Sequence, residues 1–406
     1  MAELTRIGVL GAGTMGAGIA QVAAEAGLEV ALLDPVAGAF DRARDRIGGF
    51  LERKVAKGQL HAGLADAALA RIGESGSVAD LAATGFVVEA IPEDLDLKRD
   101  AFRRLDAAAA PTAVLATNTS SLSVAEIAVA AATHPERVVG MHFFNPVPLM
   151  ALVEVIAAQG TDPAAVATTT ALAGRLGKTP VEAADTPGFI VNRVARPYYL
   201  EALRILGEGS AGIEAIDAAM RDEGFRMGPF ELIDTIGADV NLAVSQSVWT
   251  GFDRAARYTP HPLQLVLVQA GRLGRKTDGG FYDYRTDGER GAPWSGLAAA
   301  TSAVGAPSPL AAEAIADRIL ATIVNEAASA VADRTARPAA IDTAMRLGTN
   351  WPQGPLAWGE ARGLDRVVAT LDGLAATVPD DRYAAVPLLR QLASSGGSFL
   401  TANGDA

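Results

Sequence analysis

The chain has 406 residues, of which 50% are apolar and 20% are charged, and its formal net charge is −12. A chain of this length exceeds what one hydrophobic core usually serves, so we expect two or three domains. The acidic balance and the absence of a Lys/Arg run argue against binding to nucleic acid or to an anionic membrane surface. With no cysteine and only four histidines, none at metal-ligand spacing, the sequence predicts neither a disulfide nor a metal site.

The most apolar stretch, residues 7–33, is interrupted by Gln21, Glu25 and Glu29. These side chains argue against a membrane-spanning helix, and the stretch starts too early to follow the charged segment of a signal peptide. We therefore predict a cytoplasmic protein that does not contact a membrane.

The N-terminal residues have the pattern of a dinucleotide-binding βαβ unit. A strand over Arg6–Leu10 runs into Gly11–Gly16 (GAGTMG), a helix follows over Met15–Ala26, and a second strand over Leu28–Leu33 ends at Asp34. A glycine-rich helix start can be purely structural, but both strands and the acid are also in place. The pattern therefore predicts phosphate binding at the start of the helix, where N–H groups and a positive dipole end are available.

Within this unit each glycine has a separate expected role. Gly11 permits the tight turn, Gly13 lets the backbone approach a pyrophosphate, and Gly16 lets the helix pack against the strand. Asp34 is expected to accept hydrogen bonds from the ribose hydroxyls and to repel a 2′-phosphate, which favours NAD over NADP.

Three further features continue the pattern. A helix over Ala37–Lys57 has a basic end, which is either a solvated helix terminus or a contact for the phosphates of a large anionic substrate. A buried strand over Gly85–Ile91 carries Glu89 and precedes Glu93 and Lys98. Another strand, Ala113–Thr117, precedes Asn118–Leu122 (NTSSL), whose polar residues either cap a helix that runs to Ala131, through Ser121 or Ser123, or line a site.

The stretch Val138–Val155 (VVGMHFFNPVPLMALVEV) contains a candidate acid/base pair. His142 follows a short apolar run, and Glu154 lies on a returning apolar run after the Asn145–Pro146 turn. The carboxylate would hold one ring nitrogen while the other faces substrate. The alternative is a histidine whose ring is satisfied inside a turn.

Alternation of strands and helices up to His142 predicts a doubly wound parallel sheet, that is, a Rossmann-type α/β domain. A helix over Pro163–Leu176 and a strand over Thr179–Ala183 complete it, and from Pro187 the sequence is helical to about Ala270. We therefore predict an α/β domain over residues 1–186 and an all-α domain, present in two tandem copies, whose first copy lies on the substrate side over 187–290. A linker over 291–309 and a second, structural helical domain over 310–406 follow.

The second helical domain is predicted because the sequence repeats itself at an offset of about 125 residues. Glu201, Ile216-Asp217, Met220, Gly228-Pro229 and Gly237 recur as Glu326, Ile341-Asp342, Met345, Gly354-Pro355 and Gly363. Two copies at so long a period indicate a duplicated domain. Asn192-Arg193 corresponds to Asp317-Arg318, so the second copy lacks the asparagine, which suggests a structural role.

With these residues in hand, the chain resembles the 3-hydroxyacyl-CoA dehydrogenase family. Seven stretches match that family's signatures in order and spacing, and they are GAGTMGAGIA, VVEAIPEDLDLK, NTSSLS, HFFNPVPLMALVEV, DTPGFIVNR, MGPFELIDTIG and GRKTDGGFYDY. The duplicated helical domain is most similar to the long bacterial form that acts on 3-hydroxyadipyl-CoA in phenylacetate degradation. The chain is shorter than that form, mainly in the connection over 286–308.

The resemblance implies a role for each matching residue. His142 and Glu154 would form the catalytic pair, and Ser120 and Asn192 would contact substrate. The residues implied in NAD binding are Gly11, Gly13, Thr14, Met15, Gly16, Asp34, Glu93, Lys98, Asn118, Asn145 and Lys276. Lys57 is the candidate for the CoA phosphates. The site would then lie between the α/β domain and the helical domain.

The implied reaction is NAD-dependent oxidation of an (S)-3-hydroxyacyl-CoA to the 3-oxoacyl-CoA, with 3-hydroxyadipyl-CoA or 3-hydroxybutyryl-CoA as substrate in aromatic or fatty-acid degradation. Alternatives are a dehydrogenase of a smaller β-hydroxy substrate without CoA and a non-enzymatic, crystallin-like member of the fold. A serine hydrolase built on Ser120 and His142 is disfavoured because no GxSxG sequence exists.

Two expectations concern the helical part. The second repeat would take the place of the partner subunit that shorter members recruit by dimerisation, and whether the full chain also forms a homodimer is left open. Arg196 lies one helical turn beyond Asn192 and would either pair with a distal substrate carboxylate or form an ordinary ion pair.

Overall fold

The computed structural model describes residues 4–285, 287–299 and 309–400. The chain forms two compact units, Met1–Phe189 and Ile190–Ala406. The predicted linker over 291–309 falls partly outside the described residues. Its described first part is not irregular, because it contains a short strand and a 3₁₀ turn, Ser295–Ala299.

The first unit is a sheet of eight strands with helices between them. The strands are β1 Arg6–Leu10, β2 Glu29–Leu33, β3 Ile72–Glu74, β4 Phe86–Glu89, β5 Val114–Thr117, β6 Val138–Phe143, β7 Leu152–Ala157 and β8 Thr179–Ala184. The helices are α1 Thr14–Glu25, α2 Ala39–Ala56, α3 Ala62–Ala70, α4 Val78–Ala82, α5 Leu95–Ala108, α6 Val124–Ala128 and α7 Pro163–Arg175.

The strand order is β3-β2-β1-β4-β5-β6-β7-β8. Strands β1 to β6 are parallel to one another, β7 is antiparallel to β6, and β8 is parallel to β7. The prediction of a Rossmann-type domain is therefore confirmed. The returning strand β7 is the departure from an all-parallel sheet, and it places Glu154 beside His142.

The glycine-rich turn between β1 and α1 is fixed by close backbone contacts. A Cβ on Gly16 would lie 1.8 Å from the Gly11 carbonyl oxygen, and Gly11 itself has φ +104°. Nothing lies within 4 Å of a Cβ built on Gly13, so its backbone borders open space. These are the properties that a close approach of a pyrophosphate requires.

Some short elements were not predicted. Strand β3 has only three residues, of which one is buried, so no alternation of polar and apolar residues reveals it. Helix α6 ends at Ala128, three residues before the predicted end, and Val129 just beyond it is 73% exposed. Its first turn is capped by Ser123 and by the remote Asp185 carboxylate, which accepts from the Val124 and Ala125 amides.

The second unit is mainly helical. Its helices are α8 Val191–Val194, α9 Arg196–Gly207, α10 Ile213–Asp222, α11 Pro229–Ile236, α12 Ala238–Gly251, α13 Pro262–Gln269, α14 Ala312–Ala332, α15 Pro338–Thr349, α16 Pro355–Arg362, α17 Leu364–Ala375 and α18 Pro387–Ser395. An antiparallel pair, β9 Tyr282–Tyr284 and β10 Arg290–Pro293, corrects the expectation that this region is purely helical.

Residues 190–285, the first helical segment, and residues 309–400, the second helical segment, have parallel features. Asp217 accepts hydrogen bonds from the backbone amides of Phe230 and Glu231 at the start of α11. Asp342 accepts from Leu356 and Ala357 at the start of α16 in the same way. Each carboxylate thereby satisfies the unpaired amides of a helix start that follows a Gly-Pro pair.

The glycine of each Gly-Pro pair has a packing reason. A Cβ on Gly228 would lie 2.4 Å from the Asp217 side chain, and a Cβ on Gly354 would lie 2.1 Å from the Asp342 carboxyl carbon. Only glycine fits at both positions, so the sequence repeat of Asp and Gly-Pro has one structural cause.

Two buried ion pairs link the segments reciprocally. Arg193 of the first segment donates to Glu326 of the second at 2.6 Å, and Arg318 of the second donates to Glu201 of the first at 2.5 Å. Tyr258 donates to Glu326 at 2.6 Å and Tyr383 donates to Glu201 at 2.7 Å. Both glutamates are almost fully buried. Arg193 contacts Glu326, and the counterpart of Arg193, which is Arg318, contacts the counterpart of Glu326, which is Glu201. Such a reciprocal pairing is the pattern of an isologous interface.

Candidate active site

A cavity of about 1050 Å³ lies in the first unit at the carboxyl ends of β1 and β2. Of the residues predicted to bind NAD, Gly11, Gly13, Thr14, Met15 and Asp34 line it. The start of α1 borders it as well, so free N–H groups and the positive end of the helix dipole face the cavity. The residues therefore fit the phosphates and ribose of a dinucleotide.

Asp34 holds this end of the cavity in shape. One carboxylate oxygen accepts from the Ala12 amide at 2.8 Å, and the other accepts from the Val36 amide at 2.9 Å. A carboxylate has about four acceptor positions, so these two bonds leave capacity for ribose hydroxyls. Its negative charge would face a 2′-phosphate unfavourably.

A buried cluster links β4 to the polar loop after β5. Lys98, 1% exposed, lies 2.6 Å from Glu89 and 3.4 Å from Glu93. Its ammonium is thus committed to two carboxylates, and its predicted contact with the cofactor stays a prediction. Burial by itself raises the pKa of Glu93, but the Lys98 charge and hydrogen bonds from the loop bring that pKa below its usual value.

Glu93 in turn organises the loop that holds Ser120. Its Oε1 accepts from the Ser120 amide at 2.8 Å, from the Ser121 amide at 3.0 Å and from the Thr119 hydroxyl at 2.7 Å. The Ser120 hydroxyl lies 3.2 Å from the same oxygen. The structure therefore brings together Ser120 and Glu93, which the sequence assigned to substrate and to cofactor.

The predicted acid/base pair is formed by the strand register. His142 on β6 lies directly opposite Glu154 on β7, and the His142 Nδ1 is 2.7 Å from the Glu154 Oε2. Glu154 is 0% exposed and His142 is 5% exposed. An ionised carboxylate only accepts, so in this contact Nδ1 donates to Glu154 and Nε2 is left as the nitrogen that can take up a proton. The Phe144 ring, 4.4 Å from the imidazole centroid to centroid, packs against it.

The loop from Phe143 to Met150 is held from two sides. The Asn118 side-chain oxygen accepts from the Phe143 amide at 2.9 Å, next to His142. Lys178, directly before β8, donates to the Val147 carbonyl at 2.5 Å and to the Met150 carbonyl at 2.8 Å. Asn145 lies exposed in this loop, before the cis bond to Pro146. Sequence reasoning missed Lys178, since a lone lysine before a strand gives no signal of a contact 28 to 31 residues away.

The remaining predicted site residues lie elsewhere. Lys57 is exposed at the end of α2 in the first unit. Asn192 and Lys276 belong to the second unit, where Asn192 is on α8 and Lys276 pairs with Asp239 at 2.6 Å. The roles assigned to these three residues stay predictions.

Two features of the described residues bear on other classes of function. No group of three or more His, Cys, Asp or Glu side chains among them is placed to hold a metal ion. None of the helices in the described ranges combines the length and apolarity that a bilayer crossing requires. The predicted cytoplasmic location stays a prediction.

Two family descriptions match the chain. "3-hydroxyacyl-CoA dehydrogenase, NAD binding domain" matches residues 6–186, and "3-hydroxyacyl-CoA dehydrogenase, C-terminal domain" matches residues 188–284 and 315–400. The chain belongs to the 3-hydroxyacyl-CoA dehydrogenase family. Its cofactor is NAD, and it is an NAD-dependent dehydrogenase of that family.

Members of two lengths are similar to this chain. The 3-hydroxyadipyl-CoA dehydrogenase of Escherichia coli K12 is 39% identical, and the alignment covers 97% of this chain and 98% of that protein. The 3-hydroxybutyryl-CoA dehydrogenase of Clostridioides difficile is 41% identical, but its alignment covers 69% of this chain and 99% of that protein.

Solved structures show the same two lengths. A structure of 3-hydroxybutyryl-CoA dehydrogenase from E. coli K12 is 38% identical with a TM-score of 0.88, and the match covers 97% of this chain and 99% of that chain. A structure of (S)-3-hydroxybutyryl-CoA dehydrogenase from Ralstonia eutropha is 40% identical with a TM-score of 0.68, and the match covers 70% of this chain and all of that one.

Proposed function

We propose that the protein oxidises an (S)-3-hydroxyacyl-CoA to the 3-oxoacyl-CoA with His142 as general base. The observation that carries this proposal is the 2.7 Å contact between the buried His142 Nδ1 and Glu154, which leaves Nε2 basic. A histidine oriented by a buried carboxylate suits proton transfer at neutral pH. The family membership supports the same reaction class.

Each residue of the first unit then has a defined task. His142 Nε2 removes the proton from the C3 hydroxyl, and Glu154 stabilises the imidazolium that forms. Ser120, whose loop Glu93 fixes, hydrogen-bonds the reacting oxygen. Bound NAD supplies the acceptor for the hydride that leaves C3. The proposal also includes the predicted contacts of three further residues. Asn192 contacts the substrate, Lys276 contacts the cofactor and Lys57 contacts the CoA phosphates.

The substrate is proposed to be 3-hydroxyadipyl-CoA or 3-hydroxybutyryl-CoA, in aromatic (phenylacetate) or fatty-acid degradation. The names of the relatives support both, since one full-length relative is named for the adipyl ester and a full-length solved structure is named for the butyryl ester.

We also propose that the second helical segment is a copy of the first and takes the place of a partner subunit. Three observations support it, namely the family's C-terminal domain matching both 188–284 and 315–400, the paired Asp and Gly-Pro features, and the reciprocal ion pairs. Relatives that align with only 69–70% of this chain would make the equivalent contacts between two subunits.

The test of the reaction is NADH formation, followed by absorbance, with 3-hydroxybutyryl-CoA and 3-hydroxyadipyl-CoA. His142→Gln should lower kcat by a factor on the order of 10² to 10⁴, the usual contribution of a general base, while NAD binding survives. His134→Gln is the matched control, because His134 is a partly exposed histidine beside Glu136. Near-full activity of His142→Gln would make the pair with Glu154 merely structural.

Cofactor choice is tested separately by titration with NAD and NADP. Asp34 should make NAD bind much more tightly than NADP, because its carboxylate faces the cavity where a 2′-phosphate would lie. Asp34→Ala should reduce the difference between the affinities for NAD and NADP. Equal affinity of the wild type for both cofactors would refute this role of Asp34.

A further inference from the structure

The interior of the first helical segment contains a cluster of four buried polar side chains. They are Arg196 on α9, Asn241 and Ser245 on α12, and Gln264 on α13, and their exposed fractions are 4%, 2%, 0% and 1%. Arg196 donates from Nη1 to the Ser245 hydroxyl at 3.3 Å, and Gln264 donates to Ser245 at 3.0 Å and to the Asn241 side-chain oxygen at 2.7 Å. The four side chains therefore form one connected network.

This network has donors but no negative charge. Arg196 makes one further hydrogen bond, from Nε to the Asn192 carbonyl at 2.9 Å, and its guanidinium carbon lies 4.8 Å from the Tyr199 ring centre. No carboxylate within the described ranges pairs with Arg196, and the Asn241 amide nitrogen has no partner there. Burial lowers the pKa of Arg196 below its usual value. A buried cation without an anion is unfavourable, so the cluster is incomplete as it stands.

The fold does not require these polar residues. In the second helical segment the four corresponding positions are Ala321 on α14, Val367 and Leu371 on α17, and Leu389 on α18, and all four are buried and apolar. Helix α12 packs against α13 as α17 packs against α18. Replacing buried ionic groups by well-packed apolar residues of similar volume is often neutral or even stabilising. The polar cluster of the first segment therefore points to a ligand.

The position of the cluster indicates which ligand it is. Arg196 lies one helical turn after Asn192 and is bonded to the Asn192 backbone, and Asn192 is the residue of the second unit predicted to contact substrate. A guanidinium and an amide N–H₂ are donors that recognise a carboxylate. We propose that Arg196, Asn241, Ser245 and Gln264 bind the distal carboxylate of a dicarboxylic 3-hydroxyacyl-CoA. This inference rests on the proposed function, and it selects the adipyl ester over the butyryl ester.

The test compares 3-hydroxyadipyl-CoA with 3-hydroxyhexanoyl-CoA, which share a six-carbon acyl chain and differ in the terminal group. In the wild type kcat/KM for the adipyl ester should exceed that for the hexanoyl ester by roughly 10²-fold, because a site built for a polar group rejects an analogue that leaves its donors unpaired. If the wild type oxidises neither ester nor 3-hydroxybutyryl-CoA, the proposed function itself fails. Oxidation of the hexanoyl or butyryl ester without a lead of the adipyl ester overturns only the present inference.

Variants then locate the recognition. Arg196→Met should reduce the lead of the adipyl ester to about threefold or less, mainly by raising KM for that ester. Arg346→Met, the same change at an exposed arginine of the second segment, should keep the lead. The variant Arg196→Ala/Asn241→Val/Ser245→Leu/Gln264→Leu, which copies the second segment, should fold and lose the lead. The assignment is overturned if Arg196→Met keeps the preference for the adipyl ester, or if both arginine variants lose that preference equally. The ratio of kcat/KM for the two esters in the wild type decides the substrate class without any variant.

Discussion

The two helical segments of the second unit have the same frame but different interiors. The frame consists of the capping aspartates Asp217 and Asp342 and of the glutamates Glu201 and Glu326, each paired with an arginine of the other segment. The interiors differ, since the first segment has a polar cluster around Arg196 where the second has apolar side chains.

The comparison separates residues that make the fold from residues that serve function. What both segments share is needed to start helices and to hold the segments together. The features found only in the first segment, Asn192 and the cluster around Arg196, are the ones to which we assign substrate binding. At the position of Asn192 the second segment has Asp317, whose carboxylate forms ion pairs with Arg362 and Arg366.

The largest effect should come from deleting residues Ala311–Ala406. The deletion removes Arg318 and Glu326, so that Glu201 and Arg193 on the remaining segment lose their partners and an apolar face is exposed. We expect aggregation or a new dimer, which size-exclusion chromatography with light scattering would show. A truncated protein that stays monomeric, stable and active would contradict the proposed role of the second segment.

A smaller effect is expected from breaking one of the shared ion pairs. Glu326→Ala leaves Arg193 buried without its main partner and should lower the free energy of unfolding by about 3–5 kcal/mol, as measured by urea denaturation. The double variant Arg193→Ala/Glu326→Ala removes both charges and should cost less than the sum of the two single variants. Glu201→Ala should be at least as costly, because Glu201 holds both Arg204 and Arg318. If the loss of unfolding free energy in the double variant equals the sum of the losses in the two single variants, Arg193 and Glu326 are not energetically coupled.

The segments should also differ in their response to acid, because His261 of the first corresponds to Val386 of the second. Burial, followed by the charge of nearby Arg204, lowers the pKa of His261 to about 4. The unfolded chain then binds a proton more readily than the folded one between pH 6.5 and 4, so stability is full above pH 6.5 and falls as the pH drops. The loss should be about 2–3 kcal/mol.

Denaturation curves of the wild type and His261→Gln across this pH range isolate the histidine from other groups. In the wild type the Leu263 amide donates to His261 Nδ1 at 3.3 Å. The glutamine side chain of the variant keeps an acceptor for this amide. The stability of the wild type relative to His261→Gln should fall as the pH drops from 6.5 to 4. A difference that does not change with pH would show that the His261 pKa is not lowered.

The smallest effect on stability, and a clear one on activity, is expected from Asn192→Asp, which gives the first segment the residue of the second. An ionised carboxylate cannot donate a hydrogen bond to the substrate, so kcat/KM should fall by about 10- to 100-fold. The free energy of unfolding should change by no more than about 1 kcal/mol. Asp317→Asn is the control and should leave kcat/KM unchanged. Wild-type kcat/KM in Asn192→Asp would remove the substrate role.

The sequence alone determined the features that depend on local order along the chain. The turn from Gly11 to Gly16, with a strand before it and Asp34 after the next strand, predicted the dinucleotide-binding sheet because short βαβ units require those residue types at that spacing. His142 and Glu154 were predicted as a pair because they lie twelve positions apart, on the two runs joined by one turn. The recurrence of Asp217 and Gly228 as Asp342 and Gly354 indicated the second helical segment.

Only the tertiary structure decided which distant residues meet. Lys98 lies between Glu89 and Glu93, and Glu93 rather than a local cap fixes the Ser120 loop. Arg193 contacts Glu326, 133 positions away, and nothing near either residue in the sequence signals that contact. The same holds for the cluster around Arg196, whose members lie on three helices. Local patterns specify helices and strands, whereas the packing of those elements sets the partner of a buried charge. The reason is that a buried charge is tolerated only where packing or a ligand supplies a partner for it.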